Sequence, residues 1–153
     1  GTFYFAGRTA DWLRVDGENF AAAPVERILG RFSGVAAVVV YAVPDPRTAD
    51  QVMAAIELDH GVTFDPAAFA SFLAEQPDLG TKWMPRFVRV VDALPLTATR
   101  KIDRNPLRRD RWVTTDPVWW RPTASEPYRP LAGDDVDALA RAFDEAGRAG
   151  MLA

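Results

Sequence analysis

The run Val35-Ala36-Ala37-Val38-Val39-Val40-Tyr41-Ala42-Val43 constrains the fold of this chain more than any other stretch. No charged residue interrupts it, and β-branched valine dominates, which predicts a central strand covered on both faces. It falls well short of the roughly 20 apolar residues that a membrane-spanning helix needs. Pro44-Asp45-Pro46 stops the run. Gln51 to Leu58 follows and has the length of either a strand or two helical turns. A strand paired antiparallel to the first through the Pro44–Asp50 loop is the better expectation. Arg86 to Val91 (RFVRVV) supplies a third strand.

Helical signals lie between these strands. Pro24, Val25, Ile28 and Leu29 follow helical spacing, with Glu26 and Arg27 between them and Gly30 as a stop, so a helix of about ten residues starts near Ala22. Asp65 precedes Pro66 and is expected to cap a helix that turns Phe69, Phe72 and Leu73 inward. Ile102 to Arg109 reads as a short helix. At the start, Phe3 to Ala6 and Trp12 to Val15 read as short strands joined by Gly7 to Asp11, and Asp16-Gly17 is a turn signal. The expectation is an α+β fold: a small central mixed or antiparallel sheet of about three strands flanked by helices, with an N-terminal two-stranded hairpin.

Beyond Arg111 the pattern changes. Asp110 to Pro130 contains Trp112, Trp119 and Trp120 among several prolines, without a clear period, and predicts an extended tail over the surface. After Gly133, Val136, Leu139, Ala140 and Phe143 recur at helical spacing and predict a terminal amphipathic helix. Residues 1–153 are therefore expected to form one domain, with 1–111 as its core and 112–153 as a tail ending in a helix.

Bulk properties exclude several classes of function. The 153 residues are 48% hydrophobic with a net charge of -3, enough for a real core and unlike a dedicated nucleic-acid binder. Without cysteine, disulfide frameworks and thiolate zinc sites are ruled out. No apolar run has the length of a membrane span and no signal peptide is present, so a cytoplasmic location is the default, with peripheral membrane contact left open. The chain starts at Gly1 already in a strand-like pattern, as expected of a domain cut from a longer polypeptide.

Two constellations carry chemistry. The first is Gly7-Arg8-Thr9-Ala10-Asp11 followed by Asp16-Gly17-Glu18-Asn19. As structure it is a hairpin and a turn. As function, Arg8 suits a nucleotide and Gly17 allows close approach of a thin ligand to the backbone. The second is Leu94-Pro95-Leu96-Thr97-Ala98-Thr99-Arg100-Lys101-Ile102-Asp103-Arg104, a loop ending in a lysine that can put a full positive charge on a phosphate or carboxylate. Read alone, Lys101 is more simply a solvated surface lysine beside a helix start. His60, beside Gly61 in a turn and without a visible partner, reads as an exposed loop residue. Arg100, Lys101, Arg104, Arg108, Arg109 and Arg111 gather near Trp112, so a stand-alone anion-binding module for RNA or an anionic membrane, built on residues 100–120, is the competing interpretation. A solvated helix face is the plainer one.

The ordered pair of motifs resembles the C-terminal domain of adenylate-forming acyl-CoA synthetases. Gly7-Arg8-x-x-Asp11 followed by Gly17-Glu18-Asn19 resembles their hinge and turn. Pro95-x-Thr97-x-Thr99-Arg100-Lys101-Ile102-x-Arg104 resembles their closing motif, which usually reads Pro-x-Thr-x-Ser/Thr-Gly-Lys-Ile/Val-x-Arg. Trp12-Leu13-Arg14-Val15-Asp16-Gly17-Glu18-Asn19-Phe20 and Tyr128-Arg129-Pro130-Leu131 are similar to the fatty-acid-transport-protein, or very-long-chain, branch. The resemblance implies activation of a fatty acid with ATP and Mg to an acyl-adenylate, then transfer to CoA. It implies Lys101 as the catalytic lysine of the first step, Arg8 on the nucleotide, Ala10 and Asp11 as the hinge, and Gly17 with Glu18 beside CoA. No metal ligand falls in this chain; the N-terminal adenylation domain would hold the metal and most of the ATP, so the fragment alone would activate no acid. Three departures stand out: Ala10 at a hinge often occupied by Asp or Lys, Arg100 in place of Gly, and Asn19 in place of a frequent Arg.

Overall fold

The computed structural model describes residues 12–47 and 50–152. Strands β1 (Trp12–Val15) and β2 (Glu18–Ala21) form an antiparallel hairpin, and helix α1 (Ala22–Leu29) follows directly. Strands β3 (Val35–Pro44) and β4 (Asp50–Leu58) pair antiparallel, as expected, with a register shift between Val35 and Ala37. Helix α2 (Pro66–Glu75) then carries the chain back to β5 (Phe87–Val91), which lies parallel to β4. Parallel neighbours require such a crossover, so α2 is packed against the sheet it connects. The Asp65 side chain caps α2 by accepting from the Ala68 amide at 3.0 Å, with Pro66 behind it, as the sequence predicts.

Two differences from the sequence expectation concern the ends. The hairpin pairs Trp12–Val15 with Glu18–Ala21 around Asp16-Gly17, while the strand expected at Phe3–Ala6 lies outside the described residues. The tail does more than wrap the surface. Its Val118–Trp120 segment (β6) pairs antiparallel with β5, and Arg129–Pro130 (β7) pairs with β6. The central sheet therefore has the order β3-β4-β5-β6-β7, five strands around the three that were expected. In β6, Trp119 packs into the core on one face, while Val118 and Trp120 pack into the core on the other. Three residues alternate too briefly for the pattern to stand out in a sequence.

The α+β class holds, with one apolar core on each side of the sheet. One unites Leu13, Val15 and Phe20 of the hairpin with α1, Phe69 and Leu73 of α2, and Val38, Val40 and Ile56. The other joins Val39, Tyr41, Met53 and Phe87 to Leu107, Trp112 and Phe143. Leu107 lies in helix α3 (Asn105–Asp110) and Phe143 in helix α4 (Gly133–Glu145). Because α4 buries Phe143 completely, the terminal helix is an integral layer of the domain. Helix α3 starts later than the sequence suggests. Ile102 is taken into an antiparallel bridge with Leu96, and the Asp103 carboxylate accepts from the Asn105 amide at 3.0 Å.

Candidate functional site

Lys101 stands at the end of a small closed loop. Leu96 and Ile102 form an isolated bridge, the Thr97 amide donates to the Lys101 carbonyl at 2.7 Å, and the Asp103 amide donates to the Pro95 carbonyl at 2.8 Å. The Lys101 amide donates to Thr97 Oγ1 at 3.2 Å, and the Thr97 and Thr99 hydroxyls lie 3.1 Å apart. The two threonines of the motif thus tie the loop to itself. Ile102 is buried, whereas Lys101 is exposed and its ammonium has no hydrogen-bond or ion-pair partner among the described residues. The backbone is fixed and the charge is free. Arg100, in the place of the usual glycine, has φ 63. An arginine can occupy this left-handed conformation, at a cost of roughly 1–2 kcal/mol.

Arg104 anchors this loop, a connection that the sequence reading missed. Its guanidinium is only 6% exposed and donates to Glu26 Oε2 at 2.7 Å, with Nε 3.4 Å from the Val40 carbonyl. The same Glu26 oxygen accepts from the Val40 amide at 2.8 Å. Since β3 is an edge of the sheet among the described residues, the buried pair occupies an outward-facing backbone N–H and C=O that no further described strand covers. The Arg104 carbonyl meanwhile accepts from the Arg108 amide and opens α3. A buried ion pair adds little net stability because both charges lose water, yet removing one partner costs roughly 3–5 kcal/mol. A signal was available in the sequence. Ala22, Val25, Glu26 and Leu29 follow the i, i+3, i+4, i+7 rule, so a glutamate sits in the apolar stripe of α1 and requires a buried cation.

The second constellation is separate from the first. Asp16 (φ 49) and Gly17 (φ 81) form a two-residue turn with both residues left-handed, the Asp-Gly geometry that matches the twist of a hairpin. A Cβ built on Gly17 would meet nothing within 4 Å, so its lack of a side chain is not required by packing in this domain. The turn docks on the short 3-10 segment Thr81–Trp83: Lys82 Nζ donates to the Asp16 carbonyl at 3.4 Å, Trp83 Nε1 donates to Glu18 Oε1 at 3.3 Å, and Trp83 stacks on Phe20 with centroids 5.4 Å apart. Glu18, expected beside CoA, is exposed and has this tryptophan as its partner, and Asn19 is exposed. Arg8, Ala10 and Asp11 lie outside the described residues.

Not all of the basic stretch 100–120 is exposed. Trp112 is 4% exposed, stacked on Phe87 at 4.8 Å and on Phe143 at 6.2 Å, so its ring offers no platform for a base. Arg104 is held inside by Glu26. Arg111, at φ 53, donates to the Leu152 carbonyl at 3.0 Å and lies 5.7 Å from the Trp112 ring. His60 is exposed in its turn, as expected. Among the described residues no group of three or more His, Asp or Glu could hold a metal ion, and no helix is long and apolar enough to cross a membrane.

An exposed lysine on a pinned loop, together with a left-handed Asp-Gly turn on a separate hairpin, gives the class of domain. The AMP-binding enzyme C-terminal domain family matches residues 24–101, and the chain belongs to that family. It is 48% identical over 153 residues to steroid-22-oyl-CoA synthetase of Rhodococcus jostii (strain RHA1), covering 99% of this chain and 28% of that protein. It is 51% identical over 119 residues to the medium/long-chain-fatty-acid–CoA ligase FadD17 of Mycobacterium tuberculosis (strain ATCC 25618 / H37Rv), covering 78% of this chain and 24% of that protein. The fold matches the crystal structure of apo MatB from Rhodopseudomonas palustris with TM-score 0.61 and 30% identity, over 67% of this chain and 20% of that one. The chain thus spans about a quarter of the length of the curated relatives it matches. Its tail, including β6, β7 and α4, lies beyond the residues matched to the family.

Proposed function

We propose that residues 1–153 are the mobile C-terminal domain of an ATP-dependent, AMP-forming fatty-acyl-CoA synthetase, and that Lys101 serves its first half-reaction. In that step a fatty acid carboxylate attacks the α-phosphorus of ATP, giving acyl-AMP and pyrophosphate. An anion approaches an anion, so fixed positive charge is needed where negative charge gathers. The observation that carries the reading is the Lys101 ammonium: exposed, without an internal partner among the described residues, and borne on a backbone closed by the Leu96–Ile102 bridge. Arginine would be a poor replacement because its planar fork is larger and differently shaped.

In the second half-reaction the CoA thiol displaces AMP from the acyl-adenylate. The domain then turns about a hinge at Ala10 and Asp11, withdraws Lys101 and brings the Gly17 turn to the pantetheine path. Arg8 contacts the nucleotide, and Glu18 borders CoA. Magnesium accompanies ATP as its counter-ion and offsets phosphate charge, and no group of three or more His, Asp or Glu among the described residues of this chain fits a metal. The N-terminal adenylation domain is the partner of this lid. The similarity to steroid-22-oyl-CoA synthetase favours a steroid side-chain acid as the second reading of the acyl substrate. The test is Lys101→Ala in the full-length enzyme. Adenylate formation should fall by about 10²–10³, while thioester formation from supplied acyl-AMP survives. Equal losses in both half-reactions would refute the role given to Lys101, and parallel assays with fatty and steroid side-chain acids separate the two substrate classes.

A further inference from the structure

We infer that Arg104 and Glu26 are positioning residues for Lys101: a buried clamp on edge strand β3 that fixes the base of the lysine loop. The inference rests on the role proposed above for Lys101. Three features carry it. The first is chain distance, since Arg104 follows Lys101 by a buried Ile102 and Asp103, and the Asp103 amide closes the loop on Pro95 at 2.8 Å. The second is the two-sided contact: Glu26 Oε2 takes both the Arg104 guanidinium at 2.7 Å and the Val40 amide at 2.8 Å, and Arg104 Nε faces the Val40 carbonyl at 3.4 Å.

The third is division of labour along one short segment. The Arg104 backbone opens α3 while its side chain reaches α1 and β3, so three elements meet at one guanidinium. The loop's apolar ends, Leu94 and Ile102, are buried, and the Leu94 amide donates to Glu57 Oε1 at 2.8 Å, whereas Leu96, Thr99, Arg100 and Lys101 between them are exposed; on the lysine's side of the loop the Arg104 guanidinium is the charged anchor. Loosening the clamp lets the loop drift as a unit with its internal hydrogen bonds strained or broken. Catalysis by an ammonium depends on where it is held, and a misplacement of about 1 Å can cost about a hundredfold in rate. The Gly17 turn is fixed by different groups, Lys82 and Trp83, so it should not feel this change.

Arg104→Lys keeps the charge but lacks the fork that spans Glu26 and the Val40 carbonyl, and Arg104→Met removes the charge. In the full-length enzyme, well below each thermal midpoint, adenylate formation should fall about 10–100-fold in Arg104→Lys and further in Arg104→Met. Thioester formation from supplied acyl-AMP should be retained. If Arg104→Met does not fold, Arg104→Lys decides, with Glu26→Gln as its counterpart from the other side of the clamp. Hydrogen exchange on the same variants of the 153-residue chain should show the Arg100, Lys101 and Asp103 amides losing protection while amides paired in β4 keep theirs. Equal losses in both half-reactions, a lowered midpoint with unchanged adenylation, or unchanged protection of the loop would overturn the inference. If Lys101→Ala leaves adenylation intact, it is the role of Lys101 that fails, and the exchange measurement still judges the clamp.

Discussion

Replacing Gly17 separates what the turn needs from what a passing ligand needs. The residue has φ 81, and an added Cβ would find open space within 4 Å, so the cost inside this domain is backbone strain alone. For alanine that strain amounts to roughly 1–2 kcal/mol. Asparagine tolerates the left-handed conformation better, as the neighbouring Asp16 at φ 49 does, and Gly17→Asn should lower stability by less than about 1 kcal/mol. Thermal or urea unfolding of the chain measures this term. In the full-length enzyme, the same substitution puts a side chain where pantetheine is proposed to pass. Thioester formation from acyl-AMP and CoA should then fall by more than tenfold, that is, by more than about 1.4 kcal/mol of barrier. Adenylate formation should keep its rate, since Lys101 stands on another loop with its own anchor. Gly17→Leu should impair thioester formation still more, at a larger cost in stability. If Gly17→Asn leaves thioester formation unchanged, or lowers both half-reactions by the same factor, the turn does not border the CoA path.

Arg100→Gly should stabilise the chain by about 0.5–1 kcal/mol, because relief of left-handed strain outweighs the added freedom of glycine in the unfolded state; a thermal midpoint that falls would refute that balance. Two buried tyrosines predict alkaline unfolding. Burial pushes the hydroxyls of Tyr41 and Tyr128 well above their ordinary value of 10.0. The folded state therefore holds its phenolic protons longer than the unfolded chain: their contribution is complete below pH 10, and each further pH unit removes up to about 1.4 kcal/mol per tyrosine until the folded state ionises too. Tyrosinate absorbance and loss of structure should rise together, and Tyr41→Phe should flatten the dependence.

Local physics reaches a long way here. A valine-rich run favours an interior strand, Asp65-Pro66 favours a helix start and Asp16-Gly17 favours a tight turn, because each is decided by backbone sterics or by the side chain nearest in sequence. Lys101 was singled out through the resemblance of its motif, and the loop that bears it closes on itself through Thr97, four residues away. The terminal helix also declared itself, through the spacing of Val136, Leu139 and Phe143.

What tertiary structure alone decided involves partners far apart in the chain. The Arg104–Glu26 contact joins positions 78 residues apart, and it satisfies the outward-facing Val40 backbone on β3, a meeting that no sequence window contains. The tail tryptophans looked like a basic-aromatic surface until Phe87 and Phe143 closed over Trp112. Likewise β6 is too short to show a period, and it becomes a strand only because β5 offers it a free row of backbone hydrogen bonds. The sequence by itself thus determined the two long strands β3 and β4, strand β5, helices α1, α2 and α4, the Asp16-Gly17 turn and the position of the loop bearing the lysine. Packing across the sheet decided which charges are buried and which remain exposed, because the free energy of a charge depends on the water and the counter-charge that distant segments take away or bring.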